Sequence, residues 1–206
     1  PHLAQKLLGA GAKGCCVAKV SEAEVMAQAG ISDLLITSEV MGAVKIERLL
    51  YLASSYPELK VVVDSAAGAK ALHSAISNMT EAIKLKVLLE LNVGQNRAGV
   101  APGGEAVDLA KYITSLENLH LVGIQGYEGH LQHLANDEKQ RQCREAMKKL
   151  GDSAKSIRAA GIPLEIVTTG GTGTAEICAQ FDEVTELQPG SFVFMDVAYR
   201  NAIGPI

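Results

Sequence analysis

Leu89-Glu90-Leu91-Asn92-Val93-Gly94-Gln95-Asn96-Arg97-Ala98-Gly99-Val100 runs from an apolar strand straight into a glycine turn that presents a single arginine. Three junctions of the same kind follow: Gly126-Tyr127-Glu128-Gly129-His130 with His133, Thr168-Thr169-Gly170-Gly171-Thr172-Gly173-Thr174, and Gln188-Pro189-Gly190-Ser191. Each places polar or glycine-rich residues directly after a strand, where parallel α/β folds gather their active sites. Outward from this stretch, apolar β-branched runs alternate with amphipathic ones along the whole chain. The pattern predicts strands over 15–20, 33–37, 60–64, 86–93, 119–125, 164–169 and 184–187. Helices are predicted over 3–8, 22–29, 45–54, 68–79, 104–115, 137–160 and 175–180. Short strands joined by helices mark βαβ units and a parallel sheet. Seven strands in a chain that opens inside a helix predict an α/β (β/α)8 barrel with strands two to eight present and the first strand ahead of residue 1. A doubly wound open sheet is the alternative. Against it, polar junctions occur at four consecutive strand ends rather than at one switch point.

With 206 residues, 48% of them hydrophobic and 20% charged, the chain has enough apolar surface for one well-buried domain. No linker or low-complexity segment divides it. The net charge of −4 argues against a sequence-independent grip on nucleic acid, which needs a basic face. No apolar run approaches the 18 residues of a spanning helix, and no signal peptide is visible, so a cytoplasmic protein without a membrane partner is expected. Cys15, Cys16, Cys143 and Cys178 show no metal-ligand spacing and read as buried thiols in a reducing compartment. The helix over 137–160 carries Lys139, Arg141, Arg144, Lys148 and Lys149, read as a solvated outer face.

Gly9-Ala10-Gly11-Ala12-Lys13-Gly14 matches the dinucleotide fingerprint, but it ends a helix and precedes a strand, the reverse of the required context. Helix capping accounts for it better. Thr169-Gly170-Gly171-Thr172-Gly173-Thr174 has the right context: it follows a strand, opens a helix and offers backbone N–H groups to a phosphate. Pro189-Gly190-Ser191, after the next strand, supplies a second small-residue cup, and loops after the last two strands are the recurrent phosphate site of barrels. Against a plain surface role for Arg97 stands its place after Asn92-Val93-Gly94 at a strand's carboxyl end, which suits a fixed donor fork facing a pocket. Of His130 and His133, one reads as a general base and the other as a structural partner; their i,i+3 spacing is weak evidence for a metal pair. Lys19, ending the first strand, reads as structural or solvated.

The chain resembles the barrel domain of fold-type III pyridoxal-phosphate enzymes, specifically the D-threonine aldolase/D-serine dehydratase family. The resemblance rests on Cys16-Val17-Ala18-Lys19-Val20-Ser21-Glu22-Ala23-Glu24-Val25, on Asn92 to Val100, and on Gln188-Pro189-Gly190-Ser191-Phe192-Val193-Phe194-Met195-Asp196. Gly126-Tyr127 with Gln132-His133-Leu134 looks closer to the aldolases. The resemblance implies that Arg97 hydrogen-bonds the phenolic oxygen of pyridoxal 5′-phosphate. It implies that Thr169, Gly171, Thr172, Gly190 and Ser191 hold the phosphate, that Tyr127 lines the pocket, and that His133 acts on the substrate's β-hydroxyl. The implied reaction is retro-aldol cleavage of a D-3-hydroxy-amino acid to glycine and an aldehyde. A D-serine or 3-hydroxyaspartate dehydratase and a one-domain cofactor carrier are the alternatives. Nothing in the chain matches the family's Schiff-base lysine segment. A carboxyl-terminal β-domain, which the resemblance gives divalent-metal ligands (Mn, Mg or Zn), is also expected beyond it. Residues 1–200 are accordingly expected to form the cofactor domain and 201–206 the start of the connection. No turnover is expected from these residues alone, and a homodimer is a possible assembly.

Overall fold

The computed structural model describes residues 1–204. Its strands are β1 (Cys15–Val17), β2 (Leu34–Ile36), β3 (Lys60–Val63), β4 (Leu85–Glu90), β5 (Leu119–Gln125), β6 (Ile166–Thr169) and β7 (Glu186–Leu187). Its helices are α1 (His2–Gly9), α2 (Val20–Gln28), α3 (Ala43–Ser55), α4 (Ala66–Ser77), α5 (Gly104–Ser115), α6 (Asn136–Ala159), α7 (Ala175–Cys178) and α8 (Val197–Ile203). The alternation makes this an α/β fold. The chain forms two compact units, one of Pro1–Leu88 with Lys111–Leu121, the other of Leu89–Ala110 with Val122–Ile206.

In the first unit, β1, β2 and β3 pair in parallel, with Cys15 opposite Leu34 and Leu35 opposite Lys60. Leu34, Ile36, Val61 and Val62 are buried, so these short runs are apolar on both faces, as strands covered by helices require. β1 is shorter than its apolar run because the Ala18 N–H turns to the Glu22 carboxylate at 2.8 Å and Lys19 becomes the N-cap of α2. Lys19 is exposed. The glycine-rich stretch after α1 is a helix end: Gly11 takes φ +111°, and the Ala12 N–H closes on the Leu7 carbonyl. Lys60, almost fully buried in β3, is neutralised by Asp33 at 2.7 Å and also donates to the Glu58 carbonyl.

In the second unit, β5, β6 and β7 pair in parallel, with Gln125 opposite Thr168 and Thr169 opposite Leu187. β7 keeps only two residues of the run expected there, because Val184 is drawn back to the Phe181 carbonyl. Helix α6 buries Cys143, Ala146, Met147, Leu150, Ala154 and Ile157, a stripe at spacings of three and four. Lys139 lies on that stripe and is 2% exposed, so the expectation of a solvated lysine there is wrong. Arg141 and Lys148 do face solvent, paired with Glu138, Glu145 and Asp152. The thiols divide likewise: Cys143 and Cys178 are buried, whereas Cys15 is half-buried and Cys16 exposed at a three-residue strand. Helix α8 was not expected from the sequence; Asp196 caps it by accepting the Tyr199 N–H at 3.0 Å. It runs through the expected boundary at residue 200, and Pro205 and Ile206 of the expected connection lie outside the described residues.

Candidate functional site

All of the candidate residues fall in the second unit. The loop after β4 is fixed by Asn92, whose Oδ1 accepts the N–H groups of Gly94 and Asn96 at 3.1 and 3.0 Å. An asparagine mimicking a backbone turn in this way needs no further support. The loop returns to the strand through a parallel bridge between Leu91 and Val100. Return is possible because Gly99, at φ +100°, has no side chain; a Cβ there would lie 2.5 Å from the Asn92 nitrogen. Arg97 sits at the exposed crest, its guanidinium carbon 5.8 Å from the centre of the Tyr127 ring. That is within cation–π range.

Tyr127 is half-buried, and its phenol is held above the ordinary value by burial first, then by Tyr199 and Glu128; Arg97 pulls the other way. The phenol is therefore neutral at physiological pH, a hydrogen-bond donor rather than an anion. His133 is exposed and stacks against Tyr199 of α8, ring centres 4.5 Å apart at 59°. His130, also exposed, lies beside Gly94, 3.2 Å from where a side chain would begin, and partial burial pushes its imidazole below the ordinary value. The two histidines thus occupy different surroundings, with Tyr199 a member that sequence reading missed.

The glycine turn after β6 holds an anion already, and that anion belongs to the protein. Glu128 is fully buried, and its carboxylate accepts the N–H groups of Gly170 and Gly171, both at 3.3 Å. The Thr174 hydroxyl donates to it as well, the Thr169 hydroxyl lies 2.7 Å away, and the Gln132 amide approaches at 3.3 Å. Gln132 turns its carbonyl oxygen to the Gly173 N–H at 2.8 Å. Donor positions expected to meet a phosphate, Thr169 and Gly171, are therefore engaged within the turn itself, Thr169 with Glu128 and the Gly126 carbonyl, Gly171 with Thr174 and Glu128. Thr172 differs: its hydroxyl accepts the Phe192 N–H at 3.0 Å, which ties the turn to the Gly190-Ser191 loop. Gln188, half-buried, donates to Gln125 at 2.9 Å and to Thr168 at 2.8 Å, and Gln125 donates to Glu90, a polar row whose last three members are buried. Glu128 stands between two residues singled out in the sequence, and Thr174 closes the glycine motif. Their signal was a lone carboxylate beside a turn rich in N–H groups.

The sequence matches the family model for the alanine racemase N-terminal domain over residues 2–198. The chain belongs to the alanine racemase N-terminal domain family. Among relatives in this family, it is 36% identical to a D-threonine aldolase of Arthrobacter sp. over 200 residues, covering 97% of this chain and 52% of that protein. It is 34% identical to a 3-hydroxy-D-aspartate aldolase of Paracoccus denitrificans, covering 95% of this chain and 50% of that one. The solved D-threonine aldolase of Filomicrobium marinum superposes with a TM-score of 0.93 at 36% identity, over 98% of this chain and 54% of the other. The chain thus spans about half the length of these three relatives. Among the described residues, no helix is long and apolar enough to cross a membrane.

Proposed function

We propose that this alanine racemase N-terminal domain binds pyridoxal 5′-phosphate in a lyase that cleaves D-3-hydroxy-amino acids to glycine and an aldehyde. The observation that carries the reading is the pairing of Arg97 with Tyr127 and of His133 with Tyr199, two residues from the strand-end loops each set against an aromatic ring. Similarity to two aldolases of D-hydroxy-amino acids supports the choice of substrate.

The residues present suit the cofactor. A permanent cation at Arg97 matches a phenolate oxygen, and the neutral Tyr127 phenol borders it without adding negative charge. Thr172, Gly190 and Ser191 take the phosphate, while Thr169 and Gly171 shape the turn through Glu128. When bound, the cofactor supplies the electron sink for the negative charge left at Cα. His133 accepts the proton of the β-hydroxyl as the Cα–Cβ bond breaks, so that the hydroxyl carbon leaves as a carbonyl. Tyr199 holds the imidazole from one side. A general base of this kind contributes about 10²–10⁴ in rate.

The proposal extends to strands two to eight of a (β/α)8 barrel, with residues 1–200 as the cofactor domain. It extends also to a divalent metal held outside the described residues, a cytoplasmic location and a homodimer. The decisive assay uses the protein encoded by the intact gene: release of glycine and acetaldehyde from D-threonine, with His133→Ala expected to lose about 10²–10⁴ in kcat while retaining cofactor affinity. Release of ammonia and a keto acid instead makes it a dehydratase. Full activity in His133→Ala removes that residue from the chemistry.

A further inference from the structure

The stem of Lys139 is buried in the second unit, and no ion pair engages its ammonium among the described residues. It is 2% exposed, and among the described residues no carboxylate pairs with its ammonium and no acceptor hydrogen-bonds it. Lys60, buried to a similar degree, shows what the fold does when it intends a closed pair: Asp33 stands 2.7 Å away. The Lys139 ammonium is not sealed from water: among the described residues His73 Nδ1 is the one buried side-chain nitrogen or oxygen without a hydrogen-bond partner, so Nζ of Lys139 opens onto the cavity described next. Burial pushes the Lys139 amine below its ordinary value, opposed only by Cys143 one helical turn on. Cys143 is itself engaged with Cys178.

Lys139 forms part of the wall of a cavity of about 570 Å³. That volume lies in the range of small-molecule sites. Asn136 and Gln140 flank the lysine on α6, the Thr172–Thr174 turn lies opposite, and Ile177, Pro189 and Phe192 supply apolar surface. Glu176 also borders the cavity, on its exposed side. One cation facing the cavity, with an exposed carboxylate at its edge, suits a ligand head carrying a single negative charge.

We infer that this cavity, whose lining includes neither Arg97 nor Tyr127, is a second ligand site beside the loop proposed to hold the cofactor phosphate, which takes a small organic monocarboxylate with its head on Lys139 and its apolar body on Ile177, Pro189 and Phe192. The site shares the Thr172–Phe192 hydrogen bond with the loop proposed to hold the cofactor phosphate, so occupancy is positioned to tighten or loosen that loop.

Hexanoate is the probe, added to the purified protein from the intact gene and followed by calorimetry, with hexanol and hexylammonium as controls. Saturable hexanoate binding is expected, at least tenfold weaker in Lys139→Met and absent for both controls. Lys139→Gln, which keeps a polar side chain, provides the same comparison should the methionine variant fail to fold. Hexanoate binding that is absent in the native protein, equal in folded Lys139 variants, or matched by hexanol overturns the inference. Pyridoxal 5′-phosphate affinity, measured in parallel by visible absorbance, is expected to fall in Arg97→Ala and to persist in Lys139→Met. The cofactor reading and this one therefore fail independently.

Discussion

Glu128 accepts hydrogen bonds where a cofactor's phosphate was expected to accept them, which changes what a substitution there must do. In Glu128→Gln an amide NH₂ replaces one carboxylate oxygen and faces the Gly170 N–H or, on the other oxygen, the Gln132 amide, donor against donor. Each buried group left unsatisfied costs about 1–3 kcal/mol. The variant is therefore expected to unfold at clearly lower urea concentration, by at least that amount in extrapolated free energy. A neutral urea transition would mean that the turn holds itself. Tyr127 allows a sharper test of its neighbours. Its phenol ionises above the ordinary 10.0, and among the causes only Arg97 favours the ionised form. Removing that cation in Arg97→Ala should move the ionisation higher still, read from the Tyr127 ring carbon by NMR. A downward move would show that the guanidinium does not sit over the ring. His130 carries the opposite sign: although the residue is exposed, partial burial of its ring holds the imidazole below the ordinary value, so the unfolded chain takes up the proton first and the effect is small. Stability should fall as pH drops through about 6.5 and below, and less steeply in His130→Gln.

The loop after β4 shows how an element delivers a side chain to a site. Asn92 starts the turn, Gly99 brings the chain back against the strand, and Arg97 rides between them. Gly99→Ala combines a positive φ with a Cβ 2.5 Å from backbone nitrogen. Strain of this kind costs about 1–3 kcal/mol. The loop relieves it only by lifting Arg97, so cofactor affinity by visible absorbance should drop together with stability; loss of stability alone would detach the arginine from the pocket. This loop was legible in the sequence because its asparagine and glycines act locally. The seven strands were legible for a similar reason, as short β-branched runs between helical stretches. Helix α8 was not: seven residues held by the Asp196 cap show too little periodicity, and Tyr199 went unseen with it. Lys139 departs from its expected exposure for a different reason. A lysine is solvated by residue type, but the angle around α6 decides exposure, and 139, 143, 147, 150, 154 and 157 trace the buried side.

At the scale of the whole molecule, the chain corresponds to about half of each of the two aldolases it resembles, so activity is a property to be measured on the protein from the intact gene. The described residues contain no group of three or more His, Cys, Asp or Glu side chains able to hold a metal ion. The groups proposed to hold the cofactor are instead a guanidinium, a phenol, hydroxyls and backbone, none of which needs a metal for its charge or geometry. Cofactor retention and metal dependence should therefore separate. Dialysis against a strong chelator is expected to abolish aldehyde release from D-threonine, and Mn²⁺, Mg²⁺ or Zn²⁺ to restore it. The visible absorbance of the bound cofactor should survive the same treatment, as should the fall in affinity produced by Arg97→Ala. Undiminished cleavage after chelation would remove the metal from the proposal and leave the retro-aldol step to His133 and the cofactor. Loss of the cofactor band along with activity would place the metal inside the cofactor site, where the described side chains provide no cluster to receive it.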